Sequence, residues 1–315
     1  MMNIKQSIKK VLGKLISTLV SSSKVITQDW DNKQLILAAR SIMAGTAWQS
    51  PPPDGSNWLA SKEFSVYSQF GDDGIIQYLC YLLQLENKAF IEFGVGDFFE
   101  SNCHFLLIHN NWSGFVMDGS LENMETLWQS SIYWRQDITG KSAFVTKDNI
   151  NELLAESGFD RLGLMHIDLD GNDYWILQAI DLSNNSPDLL ILEYNAHFGC
   201  ERPISIPYDS EFYRMSAHYS GQFFGASLPA LNYLANLKGY YFIGCNSAGN
   251  NAYFLANRHQ KTIPAVSLLN GFVEPKFRDS RNQQGVLDFM PRSSAVELIR
   301  GLPVVNVVMN ANELF

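Results

Sequence analysis

The sequence predicts an α/β protein: a seven-stranded, mostly parallel sheet with helices on both faces and an antiparallel hairpin at its end. Three observations carry this. From about residue 60 to 255, short apolar runs alternate with stretches of helical periodicity, as parallel strands joined by crossover helices require. The apolar runs are near-continuous, as expected of strands covered on both faces. The last two runs flank Cys245–Asn251, rich in Asn, Gly and Ser, which is a hairpin signature.

The elements follow in order. Residues 1–55 read as an N-terminal helical extension closed by Pro51-Pro52-Pro53-Asp54-Gly55. Ile4, Ile8, Leu12, Leu15, Ile16 and Leu19 recur there at helical spacing beside Lys5, Lys9, Lys10 and Lys14. Such a basic amphipathic helix can pack on its own domain, on a partner such as a second copy of the chain, or peripherally on the inner face of a membrane. Its apolar stretch Val11–Val20 is broken by Lys14 and no small-residue cleavage site follows, so a signal peptide is not expected.

Residues 56–256 hold the sheet. Strands are expected at Ala89–Phe93, Gly114–Met117, Ala143–Thr146, Leu162–Ile167 and Leu189–Leu192, then at Tyr240–Gly244 and Ala252–Leu255. Helices are expected at Ile75–Leu85, Asn102–His109, Leu121–Gln129, Ile150–Ser157, Tyr174–Ala179 and Leu228–Leu237. An insert at about 194–227 is dense in aromatic rings, among them Tyr194, Phe198, Tyr208, Phe212, Tyr213 and Phe224. It reads either as a lid with rings suited to sugars or as ordinary core. Residues 257–315 form a C-terminal extension with a turn at Glu274–Lys276, a charged patch (Lys276, Arg278, Asp279, Arg281) and a final apolar run, Leu302–Val308.

A formal net charge of −9 argues against a nucleic-acid partner, which calls for a basic face. Cys80, Cys103, Cys200 and Cys245 form no CxxC pair, which argues against a zinc knuckle and fits free thiols in the cytoplasm.

The first strand runs into Glu92-Phe93-Gly94-Val95-Gly96-Asp97. Glycines at such a bend let the backbone turn sharply and let a ligand approach it, and open α/β sheets bind ligands beyond the carboxyl ends of their strands. A dinucleotide needs GxGxxG, but Phe99 holds the third position, and Asp97 and Glu100 lie where pyrophosphate would sit. The P-loop pattern is absent. S-adenosylmethionine, with its ammonium and sulfonium and no phosphate, suits these carboxylates. The second run ends in Asp118, close to the roughly 20 residues beyond the glycines at which ribose-binding acids occur; ribose is the expected role, and capping of the next helix is the alternative.

Phe90-Ile91-Glu92-Phe93-Gly94-Val95-Gly96, preceded by Ser68-Gln69-Phe70-Gly71-Asp72-Asp73-Gly74, resembles the FkbM-type methyltransferases, a group within the class I, Rossmann-like, S-adenosylmethionine-dependent superfamily. The resemblance covers about residues 64–255. It implies that Glu92, Gly94 and Gly96 line the methionine moiety, that Asp118 holds the ribose, and that the segment from Gln69 through Asp72 to Asp73 folds over the cofactor. Asp148 or Asn149 would lie near the adenine, although Asn149-x-x-Glu152 is also a capping box. The chain departs from the commoner pattern in carrying Glu92 rather than Asp and in longer helices outside the sheet.

Two strand ends carry the chemistry. Asp168-Leu169-Asp170-Gly171-Asn172-Asp173 closes the fourth strand, and Glu193-Tyr194-Asn195-Ala196-His197 closes the fifth. Residues two apart in extended chain face the same way, which groups Asp168 with Asp170, and Glu193 with Asn195 and His197. Carboxylates and an amide carbonyl suit Mg²⁺ or another divalent ion, so Asp168, Asp170, Glu193 and Asn195 are metal candidates. Metal-dependent small-molecule O-methyltransferases of the same superfamily are similar here. Asp168 also belongs to the expected cofactor site. Without a metal, Asp170 or His197 is the candidate base. Turn formation and capping explain Gly171 and Asp173 equally well, and His166 is expected to be structural. The resulting expectation is O-methylation of a carbohydrate or other polyhydroxyl acceptor. The rivals are a metal-dependent enzyme using a nucleotide sugar, with Asp168 and Asp170 at a diphosphate, and a non-catalytic binding module that kept the fold.

Overall fold

Five of the seven strands lie parallel in consecutive βα units, and their order puts the ends of the first, second, fourth and fifth side by side. The structure, a computed structural model, describes residues 32–49, 57–183 and 186–315. The chain divides into two units, 1–49 and 50–315. Of the first, a helix over 32–43 and a short helix Thr46–Gln49 are described; the amphipathic stretch Ile4–Leu19 lies outside the described residues. Among these, no helix is long and apolar enough to cross a membrane.

In the second unit the strands are β1 (Ala89–Phe93), β2 (Ser113–Asp118), β3 (Ile138–Ser142), β4 (Leu164–Ile167), β5 (Leu189–Glu193), β6 (Ile204–Ser205), β7 (Tyr240–Cys245), β8 (Asn251–Ala256), β9 (Pro303–Asn306) and β10 (Ala311–Leu314). The main sheet has the order β3-β2-β1-β4-β5-β8-β7. β8 runs antiparallel to both its neighbours and the others are parallel. This is a Rossmann-like plan, and β1, β4 and β5 are buried along their whole length.

The third strand differs from expectation. It is Ile138–Ser142, not Ala143–Thr146. As the edge strand it pairs only with β2, so Thr-Gly-Lys-Ser suffices and no apolar run marks it. The apolar Ala143-Phe144-Val145 that follows lines a cavity instead. Asn149 also departs from the capping box. Its side chain accepts from Thr146 N at 2.8 Å and donates to the Phe144 carbonyl at 2.9 Å, pinning that turn rather than the helix.

The insert and the C-terminal residues make a second sheet, β10-β9-β6. Beneath it Phe198, Ile204, Ile206, Phe223, Ile299 and Val304 form a satellite core, so several of the insert's rings are core. All four cysteines are free; Cys103 and Cys245 are buried and Cys80 and Cys200 partly exposed.

Candidate active site

The bend after β1 is fixed by close contact. Gly94 N donates to the Met117 carbonyl at 2.8 Å. Gly94 has φ +69°, and a Cβ there would stand 1.7 Å from the carbonyl oxygen of Asp168, so only glycine lets the bend press against the end of β4. Gly96, at φ +56°, faces open space. Its N–H donates to Asp118 Oδ2 at 2.8 Å, while Oδ1 accepts from Ser120 N (2.8 Å) and Asn123 Nδ2 (3.0 Å). Asp118 therefore ties the bend to the start of the next helix and still stands in a cavity wall.

Two cavities open at the strand ends and share Gly94 and Asp168 as walls. The first, of about 330 Å³, is bounded by Gln69, Asp72, Glu92, Gly96, His166 and Asn251, with others. The second, of about 570 Å³, lies between Asp118, Ala143–Val145, Asp168–Asp170 and the insert residues Phe212, Tyr213 and Arg214. Both fall in the range of small-molecule sites.

Behind the first cavity Glu92 is a buried hub. It accepts from Ser101 Oγ (2.6 Å), Asn102 N (3.0 Å), Cys103 N (3.2 Å) and His166 Nδ1 (2.9 Å). Burial alone would raise its pKa, but the hydrogen bond and charge of His166 hold it below the usual carboxylate value. His166 Nε2 meets Asn102 at 3.3 Å, so this histidine is structural as well as cavity-lining. Asp72 accepts from Asn246, Asn251 and the Tyr253 hydroxyl, which fastens the Gln69–Asp73 segment to the hairpin. Asp73 gathers the N–H groups of Val66, Tyr67 and Ser68. Gln69 is exposed at the cavity wall.

At the ends of β4 and β5, Asp168, Asp170 and Glu193 each bring an oxygen within 4.8 Å of the others. Burial, then the charge of Asp170, pushes the Asp168 carboxyl up to about 6. Burial, then the charges of the neighbouring aspartates, push the Glu193 carboxyl well above its usual value. Its Oε2 is buried with no hydrogen-bond partner. Asp173 accepts from Leu169 N (2.7 Å) and Gly171 N (3.1 Å), which makes it the cap of this turn. Asp170 holds its left-handed φ of +54°, a conformation aspartate tolerates.

Three expected residues are placed elsewhere. His197 does not join the carboxylates, because β5 ends at Glu193 and Asn195 starts a 3₁₀ turn over Ala196–Phe198 that breaks the two-residue alternation. It lines a separate cavity, where burial lowers its pKa to about 4. Asn195 is spent on its own chain: its oxygen accepts from His197 N and its amide donates to the carbonyls of Gln222 and Phe224. Asp148 is exposed and outside both cavities, since β3 ends early and Ala143–Val145 takes the wall it was expected to occupy.

Arg214 stands at this site, and the motifs missed it. Its Nη1 meets Asp170 at 2.8 Å, its Nη2 meets Asp279 at 2.8 Å, and its guanidinium lies 3.9 Å over the Phe224 ring. The available signal was an arginine set among the aromatics of the insert, Phe212-Tyr213-Arg214. Asn250 and Asn251 also line the first cavity.

No protein-family model matches the chain, and no curated protein matches it. Among solved structures it is similar to the N-terminal domain of EvdMO1 with SAH bound, at 9% identity over 60% of this chain and 81% of that one, TM-score 0.38. It is similar to an S-adenosylmethionine-dependent methyltransferase from Clostridium acetobutylicum ATCC 824 at 11% identity, covering 59% of this chain and 90% of that one, TM-score 0.37. A SAM dependent methyltransferase from Aquifex aeolicus gives 10% identity, 59% and 89% coverage and a TM-score of 0.34.

Proposed function

We propose that the chain transfers a methyl group from S-adenosylmethionine to a hydroxyl of a polar, carbohydrate-like acceptor. The observation that carries this is the charge of the first cavity. Asp72, Glu92, Asp97, Glu100 and Asp168 stand in its wall and, among the described residues, no Lys or Arg does. An ammonium and a sulfonium gain from such walls, whereas pyrophosphate would meet like charge. The second cavity fits the rest of the cofactor: Asp118 for ribose hydroxyls and Ala143, Phe144 and Val145 for an apolar ring. Phe212, Tyr213 and Asn172 line the same space and suit a polyhydroxyl acceptor.

In the transfer the acceptor oxygen attacks the methyl carbon in line with the C–S bond. The bond electrons stay on sulfur, which becomes a neutral thioether, and the hydroxyl proton leaves to a base. Asp168, raised to about 6 by burial and Asp170, is mostly ionised at neutral pH and more basic than a free aspartate. Arg214 fixes Asp170 beside it. The same carboxylates fit a divalent cation: they are hard donors within 4.8 Å, and Glu193 Oε2 lacks a partner. Asp168, Asp170 and Glu193 would hold it, and it would lower the pKa of the acceptor hydroxyl.

The experiment is methyl transfer from labelled S-adenosylmethionine to a panel of sugars, with the chain and with Asp170→Asn. The variant is expected to keep S-adenosylhomocysteine affinity and to lose turnover by roughly 100-fold or more. EDTA separates the two ways of activating the hydroxyl, since it abolishes turnover only if the cation is required. Unchanged turnover in Asp170→Asn would remove Asp170 from the reaction.

A further inference from the structure

A third cavity, of about 110 Å³, lies between the insert and the C-terminal residues, and its charge is opposite to that of the first. His197, Gln222, Lys276, Arg278, Ser280 and Arg292 stand in its wall. Two of these present buried polar atoms without a partner: Nδ1 of His197, a residue only 7% exposed, and Nε of Arg292. Unpaired buried polar atoms are costly, and two of them at one small basic cavity point to a polar occupant.

The surrounding charges leave the cavity positive. Arg292 gives Nη1 to Glu274 at 3.0 Å and Nη2 to the Ala196 carbonyl at 3.5 Å, which leaves Nε over. Asp279 is engaged by Gln222 Nε2 at 3.0 Å and by Arg214. Ser280 Oγ donates to Asp288 at 2.5 Å and accepts from Met290 N at 2.8 Å. Lys276 and Arg278 are exposed at the wall and form no ion pair among the described residues. In a chain of net charge −9 such a cluster is a local exception, and local charge is what a site uses.

We infer that this cavity binds a compact oxyanion, a phosphate or sulfate group, held by Lys276, Arg278 and Nε of Arg292. The volume is well below the roughly 300–1,000 Å³ that takes a whole drug-sized ligand, which limits the occupant to a group of that size. Charge-assisted hydrogen bonds from guanidinium and ammonium are the strong ones for such a group. The cavity is joined to the carboxylate cluster by hydrogen bonds running Gln222–Asp279–Arg214–Asp170. The inference stands apart from the methyl-transfer reading.

The test is calorimetric titration of the full chain with inorganic phosphate and with glucose 6-phosphate, at ionic strength held constant with chloride. Both ligands are expected to bind, and the double variant Lys276→Gln, Arg278→Gln is expected to bind about tenfold or more weakly. Its unfolding midpoint in chloride should be unchanged, since both side chains are exposed. Equal affinities for the two ligands assign the site to a free ion; a clear preference for glucose 6-phosphate assigns it to a phosphorylated ligand. No phosphate heat beyond chloride, or undiminished binding by the double variant, would overturn the site. S-adenosylhomocysteine titrated in parallel reports on the cofactor site independently.

Discussion

Two glycines at the bend after β1 do different work, and substitution separates them. At Gly94 a methyl would meet the Asp168 backbone at 1.7 Å. Gly94→Ala is therefore expected to destabilise the fold by more than about 3 kcal/mol. At Gly96 nothing lies within 4 Å, and only the φ of +56° is strained. Gly96→Ala should cost about 1–2 kcal/mol and lower the unfolding midpoint by roughly 2–8 °C. Its methyl enters the first cavity, so S-adenosylhomocysteine affinity should fall by about tenfold or more. Thermal unfolding and calorimetry on both variants check this; equal destabilisation would show that the bend is not shaped as described. At this scale the sequence is legible where backbone demand selects the residue, as in Gly94 and Gly96. It is not legible for Arg214 or for Asn250 and Asn251, whose partners are set by tertiary contacts far along the chain.

The elements are held by polar ties as well as by apolar faces, and the start of β5 shows it. Asp188 accepts from Arg258 (2.7 Å) and His259 (2.6 Å), fixing the chain after β8 to the sheet. Burial would raise this carboxyl, but the His259 hydrogen bond and the Arg258 charge outweigh it and hold the pKa below the usual value. A folded-state pKa lowered in this way adds stability that is present above the unfolded value of about 3.9 and is lost as pH falls through the folded value. Asp188→Asn should cost about 1–3 kcal/mol at pH 7, and its difference from the unaltered chain should close at acidic pH below that window. Denaturant unfolding at both pH values reads it, and a pH-independent difference would contradict it. Apolar runs revealed β1, β2, β4, β5 and the hairpin because those strands are covered on both faces. They missed β3, an edge strand of polar residues, and the extended alternation past Glu193 failed because Asn195 caps a turn there.

Across the whole molecule, the C-terminal residues are joined to the insert through β6 and β9. The apolar run at Leu302–Val308 foreshadowed β9, but a partner of two residues, Ile204 and Ser205, has no periodicity to read. That joining builds the basic cavity around His197, while the strand ends keep the acidic one. The central claim is that the acidic cavity is charged for a sulfonium amino acid and not for a phosphate. Calorimetry of the full chain with S-adenosylhomocysteine, NAD and a nucleotide sugar, with and without Mg²⁺, tests it most directly. Micromolar binding of S-adenosylhomocysteine, lost in Gly96→Ala, is the predicted result; binding of NAD or the nucleotide sugar with none of S-adenosylhomocysteine would contradict it.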